Sequence, residues 1–182
     1  MKINFKNMNL LDTASFVCGF LQENKIEVVL VGGACVSIYT DNKYLSNDFD
    51  LVCDTTLKEI EPVLLKIGYK RKGRLFVNEN SDFVVDFVPP PVMVGQEHIT
   101  RKETVKTKFG KLNLLTPTDC LKDRLAGFYF WQDPQSFEQA LLIYKDQKKK
   151  VDLKDIEKWS NAQNAKDKFK LFIDKISPKV KK

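Results

Sequence analysis

The stretch that decides the fold is Val28-Val29-Leu30-Val31-Gly32-Gly33, read together with Ser46-Asn47-Asp48-Phe49-Asp50-Leu51-Val52 and Val84-Val85-Asp86-Phe87-Val88. The first piece is an apolar, β-branched run ended by two glycines, the pattern of a buried strand and a turn. In the second, residues two apart on a strand project from the same face, so Asp48 and Asp50 stand side by side. Two carboxylates that close repel unless a cation lies between them, and clustered hard oxygen ligands suit Mg²⁺ held together with substrate phosphates. The third piece puts Asp86 inside an apolar strand, where a charge needs a partner. On a neighbouring strand it would complete a two-metal site for phosphoryl-type transfer. Gly32 and Gly33 would let backbone N–H groups approach phosphate oxygens. Ser46, two residues before Asp48, falls on the same side, available to a phosphate or a metal-bound water. Each piece alone has a plain structural reading, since a Gly-Gly after a strand is most often only a tight turn. The ordered combination points to a site for a nucleoside triphosphate and a divalent metal.

Outward from this centre, Thr13–Asn24 has helical spacing in Phe16, Val17, Phe20 and Leu21, with Asp12 placed to cap it. The largely apolar Ile26–Val31 predicts a strand and Ala34–Tyr39 a short helix. Thr55–Gly68 predicts an amphipathic helix with Pro62 near its start or at a kink. Arg74–Asn78 and Asp82–Val88 read as strands joined by a polar turn, and Thr104–Phe109 with Lys111–Leu115 as a hairpin about Gly110. From Thr116 the pattern is helical. Thr118 or Asp119 caps a helix to about Trp131, Asp133-Pro134 starts a second, Asp152 a third, and Phe169, Phe172, Ile173 and Ile176 mark a last one. The expectation is an α/β (α+β) chain: residues 1–115 form a core with a mixed sheet flanked by helices, and residues 116–182 a helical C-terminal region packed on it.

These residues resemble the signature of the nucleotidyltransferase superfamily, the polymerase-beta-like fold. That signature is an apolar residue, two small residues, a short helix, then Asp-apolar-Asp or Glu, with a third acidic residue on a later strand. Here it runs through Val31-Gly32-Gly33, Asp48-Phe49-Asp50 and Asp86. The run Leu115-Thr116-Pro117-Thr118-Asp119-Cys120-Leu121-Lys122-Asp123-Arg124-Leu125-Ala126 is similar to uncharacterised prokaryotic nucleotidyltransferase-like proteins and distantly to abortive-infection-type toxin nucleotidyltransferases. The resemblance implies that Asp48, Asp50 and Asp86 bind Mg²⁺ or Mn²⁺, and that Gly32 and Gly33 face the triphosphate. It also implies that Lys122 faces the nucleotide and neutralises charge in the transition state, with Arg124 the second candidate for gripping phosphate. The implied activity is transfer of a nucleoside monophosphate from an NTP to a hydroxyl of RNA, protein or a small molecule. Ala34 stands where the family often has a serine, and Tyr44 near where a basic residue often precedes the acidic pair. These departures leave an alternative, a non-catalytic nucleotide- or RNA-binding module, antitoxin-like and paired with a toxin partner.

Composition agrees with a globular chain. The 182 residues suffice for one well-buried core, and no apolar run approaches the roughly 20 residues of a membrane span. With no convincing signal segment, a cytoplasmic protein is expected. The four cysteines, Cys18, Cys35, Cys53 and Cys120, have neither zinc nor redox-pair spacing and read as buried thiols. A lone histidine, His98, supports no histidine-based zinc site or triad. The net charge of +6 is uneven, gathered at Lys66–Arg74, Arg101–Lys111 and from Lys145 onward. Such surplus favours polyanionic partners, RNA or nucleotide. The aromatic run Phe128-Tyr129-Phe130-Trp131 reads mainly as core.

Overall fold

The structure, a computed structural model, describes residues 3–177; Lys2 and residues 178–182 of the lysine-rich tail lie outside the described residues. After a 3₁₀ turn (Phe5–Asn7) come α1 (Leu10–Glu23), β1 (Val29–Val31), α2 (Gly32–Tyr39), β2 (Asp48–Val52) and α3 (Leu57–Leu65). Then follow β3 (Lys70–Lys72), β4 (Leu75–Val77), β5 (Val84–Val88), β6 (Met93–Val94), β7 (Glu97–His98), β8 (Glu103–Thr107) and β9 (Gly110–Leu114). Four helices close the chain: α4 (Pro117–Trp131), α5 (Pro134–Gln147), α6 (Leu153–Ala162) and α7 (Lys166–Ile176).

The main sheet has seven strands in the order β3-β4-β5-β2-β1-β9-β8. It is mixed: β2 runs antiparallel to β1 and parallel to β5, and β1 runs parallel to β9. Strand alternation divides it into two unlike faces. One carries Leu30, Phe49, Leu51, Phe76 and Val85, all buried. The other carries Asp48, Asp50 and Asp86, with half-buried Leu75, Val77 and Val84 beside them. Helix α1 packs on β8 and β9, and α3 packs on β3. Helix α2 packs on β1 and β2 and also on α4 and α5, so the C-terminal helices share one continuous core with the sheet.

The elements follow from local chemistry, with differences from the sequence reading. Asn9, not Asp12, caps α1: its side chain accepts from the Asp12 N–H at 2.8 Å, because a cap must lie outside the first turn. Likewise Thr116, not Thr118 or Asp119, caps α4 by accepting from the Asp119 N–H, with Pro117 at the first helical position. The two glycines open α2 rather than preceding it. Strand β3, Lys-Arg-Lys, was not expected, since a fully exposed edge strand has no apolar alternation to announce it. Thr56 and Glu59 form a capping box at the start of α3. The four cysteines are free and buried. His98 is exposed on β7. Of the aromatic run, Tyr129 is buried and Phe128 half-buried, while Phe130 and Trp131 are exposed. Among the described residues no helix is long and apolar enough to cross a membrane.

Candidate active site

One register row crosses the open face. Lys72 lies opposite Leu75, Leu75 opposite Asp86, Asp86 opposite Asp50, and Asp50 opposite Val31. Neighbouring strands in a sheet are about 4.8 Å apart, so Asp50 and Asp86 are immediate neighbours and Asp48 shares their face two residues along β2. The row ends at Val31, the residue before the N-terminus of α2.

Gly32 is required by both its backbone and its surroundings. Its φ is +71°, and a Cβ there would stand 2.3 Å from Asp50 Oδ2. A Cβ on Gly33 would stand 3.1 Å from Ser46 Oγ. The glycine pair thus lets the helix start lie directly against the carboxylates. Ser46 is itself fixed: its backbone N–H donates to Ser37 Oγ at 3.0 Å, and its hydroxyl donates to Asp48 Oδ1 at 2.6 Å. It acts on Asp48.

The electrostatics are those of crowded anions. Burial, then the charges of Asp48 and Asp86, push the Asp50 carboxyl up from 3.8 to about 6, against the lowering pull of Arg124. Asp86 is only 8% exposed. Its Oδ1 accepts from the Phe87 N–H at 3.0 Å, and its Oδ2 meets Arg74 Nη2 at 3.0 Å. All donors at the site are hard carboxylate oxygens, the ligand chemistry of Mg²⁺ or Mn²⁺, and a cation would relieve the repulsion that raises Asp50. As the side chains stand, Ser46 and Arg74 hold the outer two carboxylates, and among the described residues no three Asp, Glu, His or Cys side chains are gathered into a ready metal cage.

Arg124 and Lys122 part company. Arg124 pairs with Asp123, donates to Gln139 Oε1 at 3.1 Å and is the cation whose charge reaches Asp50. Lys122, expected to face the nucleotide, is turned to Glu97 and Asp155. Two residues along a helix rotate the side chain by about 200°, so Lys122 leaves the face that carries Arg124. Its ammonium is fully buried, 2.8 Å from Glu97 Oε2 and 3.0 Å from Asp155 Oδ2, and lies over the Trp159 ring. The structure thus brings together Gly32, Gly33, Ser46, Asp48, Asp50, Asp86 and Arg124, and leaves Lys122 out. It adds Arg74, Asp123 and Gln139. Arg74 has no sequence signal of its own; only the β4–β5 register brings it over Asp86.

The fold is that of known proteins. The chain resembles an antigenic nucleotidyltransferase-like protein from Paracoccidioides brasiliensis, with a TM-score of 0.55 over 78% of each chain at 14% identity. The chain has the nucleotidyltransferase fold. It also resembles the antibiotic-resistance factor ANT(2'')-Ia in two structures of that protein. The solution structure gives a TM-score of 0.52 at 13% identity, covering 86% of this chain and 91% of that one. The crystal structure with adenylyl-2''-tobramycin gives 0.51 at 13% identity, covering 85% and 93%. No protein-family model and no curated protein sequence matches the chain. In this chain the carboxylates and the glycine pair meet where the open sheet face adjoins the start of α2.

Proposed function

We propose that the protein is a metal-dependent nucleotidyltransferase that moves a nucleoside monophosphate from an NTP to an acceptor hydroxyl. The observation that carries this is the pairing of Asp50 with Asp86 across β2 and β5, with Asp48 on the same face and Gly32 against Asp50. The nucleotidyltransferase fold of the neighbours supports it, and one of them, ANT(2'')-Ia, is in complex with adenylyl-2''-tobramycin.

In this reading Asp48, Asp50 and Asp86 would hold Mg²⁺ or Mn²⁺, which when bound supplies Lewis-acid stabilisation of phosphate charge. The N–H groups of Gly32 and Gly33 bind the triphosphate at the positive end of α2. Ser46 fixes the rotamer of Asp48. Arg124 places a guanidinium toward the same charge. The acceptor oxygen bonds to the α-phosphorus, the bond from that phosphorus to the oxygen bridging to the β-phosphate breaks, and pyrophosphate leaves. Asp86, on the side away from α2, takes the acceptor's proton.

A second reading, a non-catalytic nucleotide-binding module, is favoured by one observation: Asp48 and Asp86 are satisfied by Ser46 and Arg74 as the side chains stand. The experiment that separates the two is transfer from α-labelled NTPs with Mg²⁺ or Mn²⁺, offered total RNA, soluble protein and small polyols. Label transfer by the wild type, absent from the Asp48→Asn, Asp50→Asn double variant, supports the transferase. Metal-dependent nucleotide binding with no label on any acceptor supports the module.

A further inference from the structure

Beyond Asp86 the register row does not stop: it continues through Leu75 to Lys72 at the sheet edge. Alternation places Lys70, two residues away, on the same face as Lys72 and the aspartates. The whole of β3, Lys70-Arg71-Lys72, is exposed. Arg71 faces the opposite way, toward Glu61 on α3 at 3.5 Å. Arg74 arches back over the row, its side chain 81% exposed except where it meets Asp86. Between the carboxylates and the lysines lies a half-exposed apolar step of Leu75, Val77 and Val84. A cleft of about 360 Å³ opens at the outer end, lined among others by Lys66, Lys70, Lys72, Val77, Asn78 and Glu79, whose exposed carboxylate lies 3.9 Å from the Lys70 ammonium. The aspartates themselves lie on the open sheet and not in this cleft.

The two ends of the row differ in what they can hold. The α2 end offers backbone N–H groups, suited to the triphosphate. The β3 end offers a cation beside Asp86, then apolar surface, then more cations. We infer that this half of the face is the acceptor track, and that the acceptor is the terminal hydroxyl of a single-stranded nucleic acid. The inference rests on the transferase reading above. Its chemistry is specific. A nucleic-acid end carries a phosphate close to each sugar hydroxyl, matching Arg74 at 3.0 Å from the carboxylate that takes the hydroxyl proton. Unpaired bases present flat apolar faces to the Leu75–Val77–Val84 step, and the next phosphates meet Lys72 and Lys70. Phosphate contacts supply most non-specific affinity for nucleic acid and make it salt-dependent. An acidic protein would satisfy the lysines but brings neither the adjacent hydroxyl and phosphate nor flat bases.

Two measurements test it. Binding of a fluorescein-labelled single-stranded RNA is followed by anisotropy across a salt series. The Lys70→Glu, Lys72→Glu double variant is compared with Lys166→Glu, Lys170→Glu on exposed positions of α7, which makes the same change in net charge. The β3 pair should weaken binding at least tenfold and flatten the slope of log K against log salt by about 1.4, the loss of two phosphate contacts to a single strand. The α7 pair should stay within twofold. Equal weakening by both pairs, or none by the β3 pair, would overturn the track. Transfer from an α-labelled NTP is then offered an RNA oligomer with a free 3′-hydroxyl, one with that hydroxyl blocked, acidic protein and a small polyol. Label on the free-ended RNA alone, lost in the β3 pair, is the expected result. Label on protein or polyol but none on RNA would overturn the acceptor while leaving the transferase intact. No label anywhere would overturn both. The exposure of Lys70 and Lys72 keeps the fold out of the outcome, and an unchanged thermal midpoint checks it.

Discussion

Asp50 carries the largest electrostatic burden of the candidate site. Burial and two neighbouring carboxylates raise it to about 6, so the folded protein prefers it protonated. The sign follows: its favourable contribution is fully present below pH about 4, and is lost as pH rises through about 6. Asp50→Asn should therefore stabilise the metal-free protein at pH 8 by about 1 kcal/mol, discounted for its partial exposure, or about 3 °C in melting temperature. Near pH 4 the difference should vanish. Thermal melts in chelator at the two pH values check this, and a variant melting lower than the wild type at pH 8 would contradict it. Gly32→Ala should cost about 2 kcal/mol, because it combines a left-handed backbone with a methyl driven into Asp50 Oδ2; chemical denaturation reads that directly. The carboxylates were legible in the sequence because the strand period of two fixes which side chains share a face. Arg74 was not, because its place depends on which strand pairs with β5. The partners of Lys122 were not legible, because a motif gives a position on a helix but not the rotation of that helix against its neighbours.

At the level of elements, Lys122 ties three of them together. From α4 it reaches Glu97 on β7 and Asp155 on α6, and Asp155 also accepts from Arg101. Burial opposes the Asp155 charge, yet the hydrogen bonds from Lys122 and Arg101 hold its carboxyl below the usual range. Its contribution is therefore present above the ordinary carboxylate range and lost as pH falls below it. Lys122→Ala should destabilise the fold by about 3 kcal/mol by stranding its partners, with Lys122→Met closer to the wild type, and both should leave the dissociation constant of the nucleotide unchanged. Denaturant unfolding and calorimetric titration measure the two quantities. A large loss of nucleotide affinity in the Met variant would return Lys122 to the site. Helix starts such as Asp133-Pro134 and Asp152 were legible from capping chemistry. Strand β3 was not, since three exposed cations look the same in a loop.

Across the whole molecule, α2 is the central joint, because it touches the main sheet on one side and α4 and α5 on the other. Tyr39 at its end donates to the Leu115 carbonyl at 2.5 Å, and Gln147 of α5 donates to the Tyr39 carbonyl at 2.7 Å. The helical C-terminal region therefore holds the α2 end of the sheet in place. Unfolding should be a single transition, with far-ultraviolet circular dichroism and the fluorescence of Trp131 and Trp159 coinciding. A chain ending at residue 115 should fail to fold cooperatively. Two separated transitions would show that the helices fold apart from the sheet.

The central claim, that these carboxylates run nucleotidyl transfer with divided roles, is tested most directly by pyrophosphate release measured beside nucleotide affinity in the wild type and in Asp86→Asn. The account predicts a turnover rate lower by about 10³-fold with nucleotide affinity held within about threefold. Equal turnover in both proteins, or no metal-dependent release from the wild type with any NTP and acceptor, would contradict it.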